Sequence, residues 1–198
     1  MAGWGRPVAR YVVLAVVVFG LLSAAALLSY RQVTHDPGRL RVVSTQAYPQ
    51  SGALRVEADV RFALPGVVRA ALSNGVPLVF RVRLQTYDPE PWWWPVVVHE
   101  VEHRVHIMFH ALTDKYLVIR GMDNRYSTHA GLPQALQALG ALRGMVLLDA
   151  AVVAQRRDLA GRIRMQLARD TLPPALQLPA RVQADWQLDT GWVRWEAL

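Results

Sequence analysis

Residues 11–28 (YVVLAVVVFGLLSAAALL) are eighteen consecutive residues without a charge. As a helix rising about 1.5 Å per residue, such a run nearly spans the roughly 30 Å hydrocarbon core of a bilayer. Arg6 and Arg10 precede it and Arg31 follows it. The pattern predicts an N-terminal membrane anchor that delivers the rest of the chain to one aqueous compartment. Residues 12–22, followed by Ser23-Ala24-Ala25-Ala26, also fit the hydrophobic region and cleavage site of a signal peptide. Leu27 and Leu28 prolong the run to spanning length and favour retention. A buried helix of a soluble protein is the third alternative. The flanking arginines orient the segment only weakly. The short N-terminal tail before a signal-like segment favours an amino terminus inside, which makes this a single-pass inner-membrane chain with a periplasmic C-terminal domain. Cleavage would leave that domain soluble in the periplasm. The expected division is a tail over 1–10, the anchor or signal peptide over 11–30, a linker over 31–38 with Pro37-Gly38, and one domain over 39–198.

That domain is long enough to enclose a sizeable core. The chain has no cysteine, so disulfides and thiolate metal sites are excluded. Of its 22 basic residues Lys115 is the only lysine. The arginines are scattered along the chain and interleaved with acids, which argues against a nucleic-acid partner.

Beyond the linker, hydrophobic residues recur with period two, the mark of half-buried strands. Leu40 and Val42 begin one. Leu54, Val56, Ala58, Val60 and Phe62 alternate with Arg55, Glu57, Asp59 and Arg61. Leu78, Phe80, Val82 and Leu84 alternate with Arg81, Arg83 and Gln85. Further strands are expected over 99–109, 116–120, 146–153, 163–167 and 182–188. One short helix should open at Pro65 and stop at Asn74-Gly75, and another should occupy 132–142. The expected fold class is mainly β: an immunoglobulin-like two-sheet antiparallel sandwich with two short helices in connections. A small open barrel is the alternative. Trp186, Trp192 and Trp195 are expected in the core or covering a sheet edge.

A set of residues in order also resembles a known family. They are Leu64-Pro65, Ala71-Leu72, Asn74-Gly75-Val76-Pro77-Leu78 and Phe80, then Trp93-Trp94, Phe109-His110-Ala111-Leu112-Thr113 and Tyr116. Leu136 and Leu139, Leu172-Pro173, Pro179-Ala180, Trp186 and Gly191-Trp192 with Trp195 complete the series. Over roughly residues 40–195 the chain is similar to a proteobacterial family, domain-of-unknown-function family 4390. The resemblance implies one N-terminal hydrophobic segment, an exported domain without assigned activity, and a signalling partner such as a sensor kinase. It carries no catalytic residues.

Four histidines, His99, His103, His106 and His110, would line one stripe of a helix and suggest a metal face. On a strand, His99 and His103 face one way and His106 and His110 the other. Residues four apart on a strand are separated by about 13 Å, too far to share an ion. A metal and any other cofactor are therefore not expected. Glu100 and Glu102 share a strand face and could pair for hydrolysis, but Arg104 continues that face, which reads as a solvated stripe. Ser127-Thr128-His129 places a nucleophile near a base without supplying a triad. Trp92, Trp93 and Trp94 sit between prolines and cannot all enter one core, so they are candidates for contact with a partner or with lipid headgroups. Together these features predict a non-enzymatic interaction module held at the inner membrane by residues 11–28, with an unidentified envelope protein as partner. The alternatives are a small-ligand or lipid-binding sandwich and a hydrolase built on the Glu100/Glu102 and histidine groups.

Overall fold

The structure, a computed structural model, describes residues 39–88, 96–121, 125–148 and 160–195. The expected spanning segment and the Trp92–Trp94 triplet lie outside these residues. Among the described residues no helix is long and apolar enough to cross a membrane.

The alternating stretches pair into two antiparallel sheets. One has the order β1-β2-β7, formed by β1 (Arg39–Gln50), β2 (Ala53–Ala63) and β7 (Ala141–Leu148). The other has the order β6-β5-β4-β3-β8-β9. Its strands are β3 (Leu78–Asp88), β4 (Val96–His110), β5 (Lys115–Arg120), β6 (Arg125–His129), β8 (Ala160–Leu167) and β9 (Val193–Trp195). Three helices join them: α1 (Gly66–Ser73), α2 (Leu132–Gly140) and α3 (Pro174–Val182). The chain is thus mainly β with two packed sheets. The strand order departs from the expected immunoglobulin arrangement, which divides its strands four and three with Greek-key links. Here β3 to β6 run as a meander, because tight connections such as 111–114 return each strand beside the one just laid down.

One core lies between the sheets. Val56, Ala58 and Val60 of β2, Leu142, Met145 and Leu147 of β7, and Leu78, Phe80, Val82 and Leu84 of β3 all face it. Phe62 meets Phe80 edge-on across the two layers, with ring centroids 5.2 Å apart. Such edge contacts contribute about 0.5–1.5 kcal/mol beyond area burial. The three-stranded sheet leaves β5 and β6 uncovered, and α2 closes that gap with Ala135 and Leu139 buried. Helix α1 buries Val68 and Leu72 and leaves Val67 exposed. It ends as its Asn-Gly pair predicts: Gly75 takes φ +83°, its N–H bonds Leu72 O, and the Val76 N–H reaches Ala71 O.

Three local expectations are corrected. The second helix ends at Gly140 rather than 142, and β7 begins at once, with Gly144 at φ +63° inside the strand. Residues 174–182 form a third helix, since Pro174 is tolerated in a first turn. The expected strand over 182–188 is the end of that helix and a single 3-10 turn, Ala184–Trp186. Trp186 and Leu188 are nonetheless buried, while Val182 and Ala184 are exposed.

Gly140 lies where α2 presses on β2, and a β-carbon there would collide with the Val60 carbonyl. Gly140→Ala should therefore cost about 1–3 kcal/mol in urea denaturation, as overpacking does. Gly66→Ala, with nothing within 4 Å of the added carbon, should be neutral or stabilising by up to about 1 kcal/mol.

Candidate interaction surface on the six-stranded sheet

The register of β3 with its neighbours decides which polar side chains share the outer face of the larger sheet. Gln85 lies opposite Glu100 on one side and Arg162 on the other, and Arg162 opposite Arg194. In the next row Arg83 is flanked by Glu102 and Arg164, and beyond it Arg81 by Arg104 and Gln166. Arginines distant in sequence thus assemble into one ladder: Arg81, Arg83, Arg104, Arg162, Arg164 and Arg194. Directly opposed like charges destabilise a sheet, so the ladder requires counter-groups.

The segment 169–192 supplies two of them, Asp170 and Asp189. After β8 the chain makes a 3-10 turn, Arg169–Thr171, then α3, and returns antiparallel beside β8. The Leu167 N–H bonds Leu188 O at 2.9 Å, and the Thr190 N–H bonds Met165 O at 2.9 Å. The return brings Asp189 to Arg164, whose Nε donates to both carboxylate oxygens at 2.9 and 3.0 Å. Asp170 pairs with Arg81. Gly191, at φ +65°, turns the chain out of line, in a region that favours glycine. The Trp192 ring then lies against the ladder, 4.7 Å from the Arg162 guanidinium, 5.7 Å from that of Arg83 and 6.0 Å from that of Arg164. Arg162 also covers the Tyr87 ring at 5.1 Å. Cation–π contacts of this kind contribute about 0.5–2 kcal/mol each.

The acids of β4 complete the face. Glu100 accepts from Gln85, which in turn accepts from Arg162 Nε at 2.8 Å. Glu102 accepts from Arg104 Nε at 3.2 Å and lies 3.6 Å from Arg81 Nε. Glu100, Glu102 and Arg104 are all exposed, and this stripe of β4 also borders the ladder. Six arginines face four carboxylates, Glu100, Glu102, Asp170 and Asp189.

The histidines divide as the alternation of β4 requires. His103 points toward the three-stranded sheet, where Nε2 lies 3.3 Å from Val146 O. Burial holds its pKa below the usual range, opposed by that hydrogen bond. His106 is on the outer face, its pKa lowered by burial and then by Arg104. His99 is exposed, and His110 Nδ1 lies 3.2 Å from Thr113 Oγ1. Among the described residues no group of three or more His, Cys, Asp or Glu is placed to hold a metal ion. His129 Nε2 does lie 2.9 Å from Ser127 Oγ. Among the described residues no carboxylate is paired with that imidazole. Glu100 and Glu102 face away from His99 and His103 across the thickness of the sheet.

Sequence reasoning missed the ladder. Its signal was present: Arg81 and Arg83, and Arg162 and Arg164, each alternate with buried residues. Only the β3–β8 pairing, 83 residues apart in the chain at Arg83–Gln166, shows that the two stripes adjoin.

Asp189 yields a pH-dependent expectation. Burial raises its pKa, but the Arg164 hydrogen bonds, the Gly191 N–H and the Arg164 charge together hold it below the ordinary value. A depressed carboxyl adds stability that is complete above the unfolded value of about 4 and is lost as pH falls through the folded one. Asp189→Asn should cost about 1–2 kcal/mol at pH 7. In urea titrations across pH, the gap between variant and wild type should narrow as pH falls below the ordinary carboxylate range and close below the depressed folded value.

No curated protein and no solved structure matches the chain. Residues 38–196 match the family model described as a domain of unknown function, DUF4390, and the chain belongs to that family.

Proposed function

We propose that this chain is a non-enzymatic protein-interaction module, tethered to the inner membrane by residues 11–28 and exposed in the periplasm. Its partner is another envelope protein, a sensor kinase being one fitting class. The observation that carries the reading is the arginine face. It gathers six guanidinium groups on one half-exposed sheet face, backed by a packed core. Arginine on such a face is favoured at interfaces, because its planar fork pairs two-to-two with carboxylates and stacks on aromatics. The polar groups otherwise available for chemistry support the same reading. Glu100 and Glu102 are engaged with Gln85, Arg104 and Arg81, and His103 is turned to the other side of the sheet. The eighteen-residue uncharged run supports the tether. Trp92, Trp93 and Trp94, outside the described residues, remain candidates for contact with the partner from their sequence alone.

In-cell photo-crosslinking tests this directly. A benzophenone side chain in place of Arg104 or Arg194, both on the outer face, should give an adduct with an envelope protein. The same group at Arg61, exposed on the opposite sheet, should not. A reporter fused after Leu198 should be active only beyond the cytoplasm. Adducts from Arg61 alone, or reporter activity confined to the cytosol, would overturn the proposal.

A further inference from the structure

At one end of the arginine face, where segment 169–189 leaves β8 and returns, there is an open cleft of about 530 Å³. Arg81, Arg169 and Arg181 line it together with Asp170 and Asp189. The two carboxylates are already taken, by Arg81 and Arg164. Among the described residues Arg169 reaches only the Ala180 carbonyl, at 3.4 Å. Arg181 makes no hydrogen bond or ion pair among the described residues and is exposed. In the wall, Trp186 Nε1 is buried with no hydrogen-bond acceptor among the described residues. Beside Arg181, α3 presents Leu178 and Val182 to solvent, 71% and 72% exposed. They lie four residues apart and so share one helix face. The cleft is therefore a cationic notch, and the helix that brings Arg181 to it also carries an aliphatic step outside the lining.

We propose that this cleft binds an acidic peptide segment of the partner protein. A side-chain carboxylate sits between Arg169 and Arg181, and the segment's aliphatic residues pack on Leu178 and Val182. The chain supplies its own precedent. Segment 169–190 is itself a peptide docked on the ladder through two aspartates, Asp170 on Arg81 and Asp189 on Arg164. Carboxylates are thus the anions this face accepts, and two arginines at its end are left over for a third. The inference deepens the interaction reading above and rests on it.

The test uses the full chain in neutral phosphatidylcholine nanodiscs. The probe is a fluorescein-labelled ten-residue peptide of alternating Glu and Leu, read by fluorescence anisotropy beside its Gln-for-Glu counterpart. The Glu peptide should bind at least tenfold more tightly than the Gln peptide, and the difference should shrink as salt is raised. Arg169→Glu with Arg181→Glu should abolish the preference. Arg181→Gln alone, at an exposed position without partners among the described residues, should weaken binding severalfold without moving the melting temperature. Leu178→Ser with Val182→Ser should weaken both peptides. Equal binding of the two peptides, or unchanged affinity in the double charge reversal, overturns the proposal. So does stronger, Arg181-dependent binding of dihexanoyl phosphatidylglycerol, which would assign the cleft to lipid headgroups. The Arg104 crosslink separates the two readings. An envelope adduct that survives the charge reversal leaves the interaction role standing and removes the cleft. Peptide binding without any adduct does the reverse.

Discussion

Strand β3 carries both halves of the molecule. Its even residues from Leu78 to Leu84 have no exposed surface and form the floor of the core. Its odd residues, Arg81 and Arg83, are the middle of the outer ladder. With no cysteine to cross-link the layers, apolar burial must hold the sheets together, at about 25 cal/mol per Å². Phe80 against Phe62 and Met145 within the same cluster concentrate that burial over β3. A strand held so firmly on one side presents its other side rigidly, and a rigid row of guanidinium groups loses less entropy on binding than a mobile one.

The same row is a liability within the fold. Arg81 opposes Arg104 and Arg83 opposes Arg164 in register, placing like charges where cross-strand pairs interact most strongly. Relief comes from outside the strands, through the excursion 169–192. Asp189 and Trp192 lie on either side of the Gly191 turn, one neutralising Arg164 and the other spreading its ring against three guanidinium groups. The short, interrupted edge strand β9 follows from this. The chain leaves regular pairing at Gly191 to place the indole, then resumes with Val193, and Trp195 packs on Gly161, where no β-carbon would fit. An interrupted edge also blunts unwanted strand pairing.

How much of this was legible depends on whether neighbours in sequence were neighbours in space. Strands β2, β3 and β8 could be read from alternation alone, because each has one face in the core. β1 could be read only at its start. A bulge at Val43 adds one residue, so Leu40 and Val42 face the core before it and Thr45 and Ala47 after it. The alternation therefore changes phase in mid-strand. Helix α3 was hidden because Pro173-Pro174 and Pro179 resemble a loop, although a proline in the first turn is compatible with a helix. The division of the histidines followed from period two. The arginine ladder did not, since alternation gives the face on which a residue lies and not the strand beside it.

The two aspartates of the excursion are not equivalent, and that difference bears on how the face could open to a partner. Asp189 is half-buried, is held by Arg164 through two oxygens and by the Gly191 N–H, and belongs to the returning strand. Asp170 is more exposed, and Arg81 depresses its pKa from the rim of the cleft. Exposed pairs contribute about 1 kcal/mol or less. The backbone bonds at Leu167, Leu188 and Thr190 keep the segment in place whatever happens at the Asp170–Arg81 pair. The excursion is pinned at Asp189 and more lightly held at Asp170, so a carboxylate added between Arg169 and Arg181 requires no opening of the core.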